Sequence, residues 1–538
     1  MKRTVAITGA VAAAFTLAAC GGGGDNGGGN GEPAGPPQAG GTLRYGLSVA
    51  PTCSDPAQSS TNQTIYVTRQ IVDSLVDQDP ETGQLKPWLA DTWTVSPDAK
   101  SFTFHLKDGI TFSDGTPLTA DSVRKNLDSI VALGGAKAPL GASYLAGYAG
   151  STVLDPHTVR VDFSGPNAQF LQATSTPQLG IQSDATVAKS ADERCLGTNI
   201  GSGPFTYAEW KQNASATLVK RSGYSWGSAV FASQGEANLD KIVFTVVPES
   251  GVRTGSLSSG QLDAISDALP QDIPQIESGG GRVQFTANPG VPFGLQVNVT
   301  RGPLRDPAVR AALVPAINRK ELVDTVLGPQ FKVATSVLAS KTPGYTDLSS
   351  RVTYDPDAAK KLLDQAGWVP GPDGIRVKDG QRLSASVIFA PVFAGNQAIL
   401  ELTQQQLKAV GFDLRLEPLS VAESNVRQNN KDFDFDYYNS TRADGDILRT
   451  TFAVNQRNLN ARGGPAEPLD TLLSQQLAAT DPAARAKIIG EAQTAVLDQG
   501  LWIPTIELSQ AIGVGKNVGG VKFEASARLQ FHDTWLKR

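Results

Sequence analysis

The chain has 538 residues, 40% of them hydrophobic and 18% charged, a globular composition spread over more residues than one compact core organises, so two or three lobes are expected. Its 47 basic and 52 acidic side chains give a formal net charge of −5. With no basic surplus to neutralise phosphates, that balance argues against a nucleic-acid partner.

Lys2 and Arg3 precede a weakly apolar run from Val5 to Leu17 and the small-residue segment Leu17-Ala18-Ala19-Cys20, the layout of a secretory signal. A run of roughly a dozen residues is too short to span a bilayer, which takes about 20. The residues before Cys20 resemble a bacterial lipobox, so residues 1–20 are expected to be a lipoprotein signal with Cys20 as the lipidated mature N-terminus. The alternative is an ordinary signal whose cleavage site holds a cysteine. Residues 21–40 are mostly Gly with Pro, Asn and Ala; they have nothing to bury and read as a flexible leash reaching about 25 Å from a membrane. The expected location is therefore extracytoplasmic, anchored by lipid to the outer face of the membrane or periplasmic. If Cys20 is lipidated, Cys53 and Cys195 remain as an even pair in an oxidising compartment, where a disulfide is the default and two separate buried thiols the alternative.

The body opens with an alternating strand from Gly41 to Leu47, a turn region from Pro51 to Pro56 and a helix from Thr64 to Leu75. Phe102 to Leu106 alternates with period two, and Lys107-Asp108-Gly109 then turns the chain into Ile110-Thr111-Phe112, which reads as a hairpin. Thr119 caps a helix whose Val123, Leu127 and Ile130 share one face. Asp306-Pro307 and Asp355-Pro356 each start a helix; Pro315 ends or kinks the first, Asn318 with Glu321 caps its successor, and Gly367 stops the second. Leu383 to Phe389, Ala398 to Val410 and Gly411 to Leu416 form a βαβ unit. Phe433 to Asn439 alternates as a strand and runs into the charged loop from Ser440 to Asp446. Tyr437 and Tyr438 then point to opposite faces, so only one of them can face a cleft and the other is expected in the core.

No catalytic signature accompanies these elements. His105, His157 and His532 stand apart from any nucleophile motif and from one another, and no G-x-S-x-G, P-loop, H-E-x-x-H or dinucleotide fingerprint occurs. Neither an enzyme nor a resident cofactor is expected. A bare metal is disfavoured as well, because imidazole and thiolate ligands are scarce.

The segments Leu85 to Trp93, Phe102 to Leu106 and Lys107 to Val123 resemble the signature region of the extracytoplasmic solute-binding proteins of family 5, which include oligopeptide-, dipeptide- and nickel-binding proteins. Gly201 to Phe205, Asp306 to Arg310 and Ile317 to Arg319 are similar to later motifs of that family. The resemblance implies an α/β, two-lobed periplasmic-binding-protein-like fold with an extra inserted domain and a hinge cleft. Lobe I is expected at 41–75, 202–288 and 509–538, the insertion at 76–201 and lobe II at 289–508. It also implies a monomeric binding subunit that captures a small solute, foremost a short peptide, and hands it to an ABC permease. A chelated metal, a sugar or sugar acid, or a hydrolase are the alternatives. In peptide-binding members an Ala-Asp pair carries the carboxylate that meets the peptide ammonium, and Ala443-Asp444 matches it. The expected ligand residues are thus Asp444, Arg442, Tyr438 and Tyr437. Thr441 and Gly445-Asp446-Ile447 depart from the family pattern around that pair. Asp444 also reads as a turn residue before Gly445, and Arg442 as a solvated residue or an intramolecular partner of Asp444 or Asp446.

Overall fold

A computed structural model describes residues 32–33, 35–393, 395–463 and 468–538. Cys20, the signal, and residues 21–31 and 34 of the leash lie outside the described residues.

The molecule is two-lobed and α/β. One lobe is built on a seven-stranded sheet whose spatial order is Arg282–Ala287, Ser509–Val514, Ala264–Ile265, Thr42–Leu47, Lys241–Val246, Ser215–Lys220 and Phe205–Lys211. Thr42–Leu47 sits near its middle, parallel to both neighbours, and buries Leu43, Tyr45 and Leu47 completely. The other lobe holds a six-stranded sheet in the order Lys332–Val333, Trp502–Glu507, Gly290–Val297, Phe435–Thr441, Ser384–Phe389 and Asp413–Pro418. Gly290–Val297 is buried along its whole length. Gly294 is required within it, since a Cβ there would lie 2.5 Å from the Trp502 indole nitrogen and 2.6 Å from the Ile503 carbonyl. A four-stranded antiparallel sheet, Ala90–Val95, Ser101–Leu106, Thr158–Phe163 and Tyr148–Asp155, carries a separate core. Phe102, Phe163 and Phe170 meet there with ring centroids 4.8–5.8 Å apart.

The chain crosses between the two large sheets twice. Arg282–Ala287 continues through Asn288 and Pro289 into Gly290–Val297, and Trp502–Glu507 returns through Leu508 into Ser509–Val514. The crossings lie side by side: the Asn288 N–H donates to the Leu508 carbonyl at 2.8 Å, and the Gln510 amide donates to Asn288 Oδ1 at 2.9 Å.

Local signals produced the expected helix starts. Thr119 caps Ala120–Lys137 by accepting from the Ser122 N–H, and Val123, Leu127 and Ile130 are buried on its inner face. Asp306 caps Pro307–Ala316 and Asp355 caps Pro356–Gln365. Asn318 accepts from the Glu321 N–H, while the Glu321 carboxylate accepts from Gln406 rather than closing a reciprocal box. Ser384–Phe389 and Asp413–Pro418 run parallel across helix Asn396–Ala409, as a βαβ unit does.

Two expectations are corrected. Ser101–Leu106 pairs with Ala90–Val95 and Thr158–Phe163, not with residues 110–112. Gly109 does turn the chain at φ 75°, but both edges of the strand are already occupied, so the chain leaves the sheet; only a single bridge joins Thr111 to Pro117. The helix expected from Thr64 to Leu75 spans Asn62–Thr68, tightens into a 3₁₀ turn at Arg69–Ile71 and becomes extended at Val72. There the Gly201-Ser202-Gly203 backbone takes over: the Gly203 N–H donates to the Ile71 carbonyl at 3.0 Å, and Ser202 Oγ accepts from the Asp73 N–H at 2.9 Å. A Cβ on Gly201 would lie 1.9 Å from the Ile71 oxygen, which is why the approach is glycine-rich.

Candidate ligand-binding site

Between the lobes lies a cavity of about 480 Å³, within the range that small-molecule sites occupy. The strand Arg282–Ala287 supplies Phe285, the C-terminal segment supplies Phe523, Glu524 and Asp533, and the 3₁₀ turn supplies Arg69; Lys341 comes from the far side. A second pocket of about 200 Å³ continues past Gln78 to Thr82 and Lys341 as far as Ala443. A third of about 10 Å³ opens beside Asp77, Gln172 and Glu524. Contacts across the opening hold the lobes together. Gln78 donates to the Ala443 carbonyl at 3.3 Å, the Ala168 N–H donates to the Leu477 carbonyl at 2.8 Å, and Lys341 pairs with Glu81 at 2.9 Å.

Arg69 is the buried base of this cavity. Its guanidinium lies 4.3 Å from the centre of the Trp88 ring and donates to Ser74 Oγ at 2.8 Å, and its Nε is 3.1 Å from Glu524 Oε2. Trp88 meets Phe231 edge-on at 5.2 Å, and Phe231 stacks on His532 at 4.4 Å. The imidazole is held between Asp533 Oδ1 and the Gly235 carbonyl, both at 2.8 Å. Burial works against ionisation of Asp533, but bonds from His532, Lys522 and the Ala232 N–H outweigh it and bring the carboxyl down to about 2. Burial instead dominates at Asp77, lifting it to about 6 against the attraction of Arg69 and the Ser228 hydroxyl. Deeper still, Asp73 accepts from Tyr224 and Trp226 and is pushed by burial to about 7.

Of the four residues expected to touch ligand, Arg442 and Asp444 flank Ala443 at the cleft, and no side chain of the four lines its three pockets. Both Asp444 oxygens accept from Arg485 at 2.7 Å; burial opposes ionisation, yet Arg485 prevails and holds the carboxyl below its usual range. Arg442 lies 4.5 Å from the centre of the Tyr144 ring, donates to Gln169 and stands 3.6 Å from Asp446, so it ties the loop to the domain across the cleft. Asp446 is itself held by Arg449 at 2.7 and 2.9 Å. Tyr437 is buried, stacked 5.2 Å from Phe293 with its hydroxyl 3.1 Å from Thr505 Oγ1. Tyr438, on the opposite face, donates to Gln296 at 3.0 Å and meets Trp502 edge-on.

Arg485, Arg69, Asp77 and Glu524 were not singled out from the sequence. Arg69 and Asp73 did leave a signal, as the only charges in the run from Thr64 to Leu75. Cys53 and Cys195 are joined as a disulfide with Cα atoms 4.4 Å apart, beside the buried ion pair of Asp55 and Arg194 at 2.8 Å. Among the described residues, no cluster of three or more His, Cys, Asp or Glu is arranged to hold a metal ion, and no helix is long and apolar enough to cross a membrane.

Comparison with known proteins agrees with this architecture. The nickel-binding periplasmic protein of Escherichia coli K12 is 24% identical over 494 residues, covering 90% of this chain and 91% of its own. The glutathione-binding protein GsiB of the same organism is 25% identical over 505 residues, covering 90% and 93%. NikA from Brucella suis, solved in complex with Fe(III)-EDTA, superposes with a TM-score of 0.80 at 24% identity over 92% of this chain and 100% of that one. DppA from Helicobacter pylori with the peptide STSA gives a TM-score of 0.74 at 21% identity over 93% and 99%. These relatives are solute-binding proteins rather than enzymes. Residues 84–456 match the family model of the bacterial extracellular solute-binding proteins, family 5, and the chain belongs to that family, the substrate-binding proteins that deliver ligands to ABC permeases.

Proposed function

We propose that this chain captures a short peptide in the cleft between its lobes and presents it to an ABC permease. The observation that carries this reading is the 480 Å³ cavity, lined by the aromatic side chains Phe231, Phe285 and Phe523 together with charged groups. An apolar wall with a few placed polar groups suits a solute that has both a backbone and side chains. The relatives named for glutathione and solved with peptide point the same way. The domain division expected from the sequence places the cavity mainly against lobe I and the insertion, with lobe II contributing Lys341 as the cover. In this reading Asp444 and Arg442 support the rim of the cleft through Arg485 and Gln169, and Ala443 is the part of their loop that faces the solute. Lipid attachment at Cys20 would keep the protein beside its permease.

Native mass spectrometry of protein purified from its own host tests the reading. The expected result is a retained peptide released on denaturation; a retained metal chelate or sugar acid overturns it. Membrane fractionation tests the anchor, since the Cys20→Ala protein is expected to leave the membrane fraction and equal retention would refute lipidation.

A further inference from the structure

The three cations lining the main cavity are each matched by a carboxylate: Arg69 by Glu524, Lys522 by Asp533 and Lys341 by Glu81. Asp77 has no ion-pair partner among the described residues. Its oxygens accept only from the Ser228 hydroxyl and the Gln78 N–H. It is 6% exposed and lines both the main cavity and the 10 Å³ pocket beside it. Glu524 lines the same two spaces, so one guanidinium stands near two carboxylates. Gln172 also lines the small pocket. Its Nε2 donates to Gln78 Oε1 at 2.9 Å, which fixes the amide orientation, and its Oε1, on a side chain 7% exposed, has no hydrogen-bond partner.

A space of about 10 Å³ holds one water-sized group. Asp77, Glu524 and Gln172 bring two carboxylates and an unpartnered amide oxygen to it, and the neighbouring Ser175, Thr176 and Ser526 hydroxyls donate their protons to the Gln172 and Ala173 carbonyls and to Glu524. A primary ammonium has that size, three N–H donors and the charge that Asp77 lacks. A buried carboxylate without a paired counter-charge is unfavourable, and an incoming cation removes that cost; burial raises the Asp77 carboxyl for the same reason.

The geometry points to Asp77, Glu524 and Gln172 as the ammonium pocket of this protein, receiving the cationic end of an amine-bearing ligand whose apolar body lies along Phe231, Phe285 and Phe523. This assignment rests on the peptide reading above and gives the ammonium a residue other than Asp444.

The test uses the full chain stripped of ligand by unfolding and refolding with its disulfide intact. The probes are an equimolar dipeptide mixture and its N-acetylated counterpart, scored by native mass spectrometry with calorimetry on the tightest species. The parent is expected to take up the free-amine mixture and to reject the acetylated one. Asp77→Asn is expected to weaken amine binding at least about thirtyfold, as loss of one side of a buried charge pair does, and Gln172→Met to weaken it severalfold. Ser228→Ala removes a hydrogen bond at the same carboxylate and keeps its charge, so it is expected to bind like the parent. Equal uptake of free-amine dipeptides by Asp77→Asn and parent overturns the ammonium pocket and leaves the peptide reading standing. Weakening by Ser228→Ala as large as that by Asp77→Asn, or equal parental affinity for the two mixtures, also overturns the pocket. A parent that binds neither mixture overturns both.

Discussion

Asp444 and Asp77 are both buried carboxylates, and they differ in what balances their charge. Asp444 receives two bonds from Arg485 at 2.7 Å, so removing either partner leaves a buried charge uncompensated. Arg485→Gln and Asp444→Asn are each expected to cost about 3–5 kcal/mol in urea unfolding. The double variant is expected to lose less than the sum, because the pair acts as one unit. The raised carboxyls set a pH response. Asp73 and Asp436 are pushed by burial to about 7 and Asp77 to about 6. Between the ordinary carboxyl range and these values the folded chain holds protons that the unfolded chain has released, so stability falls as pH rises through that window. Asp533, brought down to about 2, acts in the opposite sense: its contribution is present above the ordinary carboxyl range and is lost as pH falls toward about 2. Calorimetric midpoints are therefore expected to rise on acidification from about pH 8 to about pH 5 and to drop in stronger acid. Asp73→Asn is expected to flatten the first limb.

At the scale of elements, the disulfide spans 142 positions between Cys53 and Cys195. Closing a loop of that length stabilises by about 4–5 kcal/mol in the chain-entropy model. The double Cys→Ser variant is expected to show that loss in denaturant, with the retained Asp55–Arg194 pair keeping the neighbouring segments in contact. The Thr119 cap is a smaller lever: Thr119→Ala removes the acceptor of the Ser122 N–H and is expected to cost about 1 kcal/mol. Helix starts of this kind were legible because donor and acceptor lie within one turn of each other. The partners of Ser101–Leu106 were not, because the strand's neighbour Thr158–Phe163 lies beyond two intervening helices and a strand; a turn signal at Gly109 states that the chain bends, not where it goes next.

At the scale of the whole molecule, two adjacent crossings at Asn288 and Leu508 connect the large sheets, the arrangement on which lobes rotate about a hinge. Scattering is expected to show a smaller radius of gyration with bound ligand than without, and an unchanged profile at saturation would refute closure. The motif segments of the sequence carried the resemblance to the family, and local spacing or a count gave the capped helices, the βαβ unit and the even cysteine pair, since each depends on residues close in sequence or on a count. Only the tertiary structure decided that Arg485, on the helix Pro482–Asp498, would take both oxygens of Asp444. It alone assembled Asp77, Gln172 and Glu524 around one small space beside the larger cavity that Arg69 lines. Burial and charge balance belong to pairs of residues brought together from distant segments, and no periodicity within either segment carries the identity of the other.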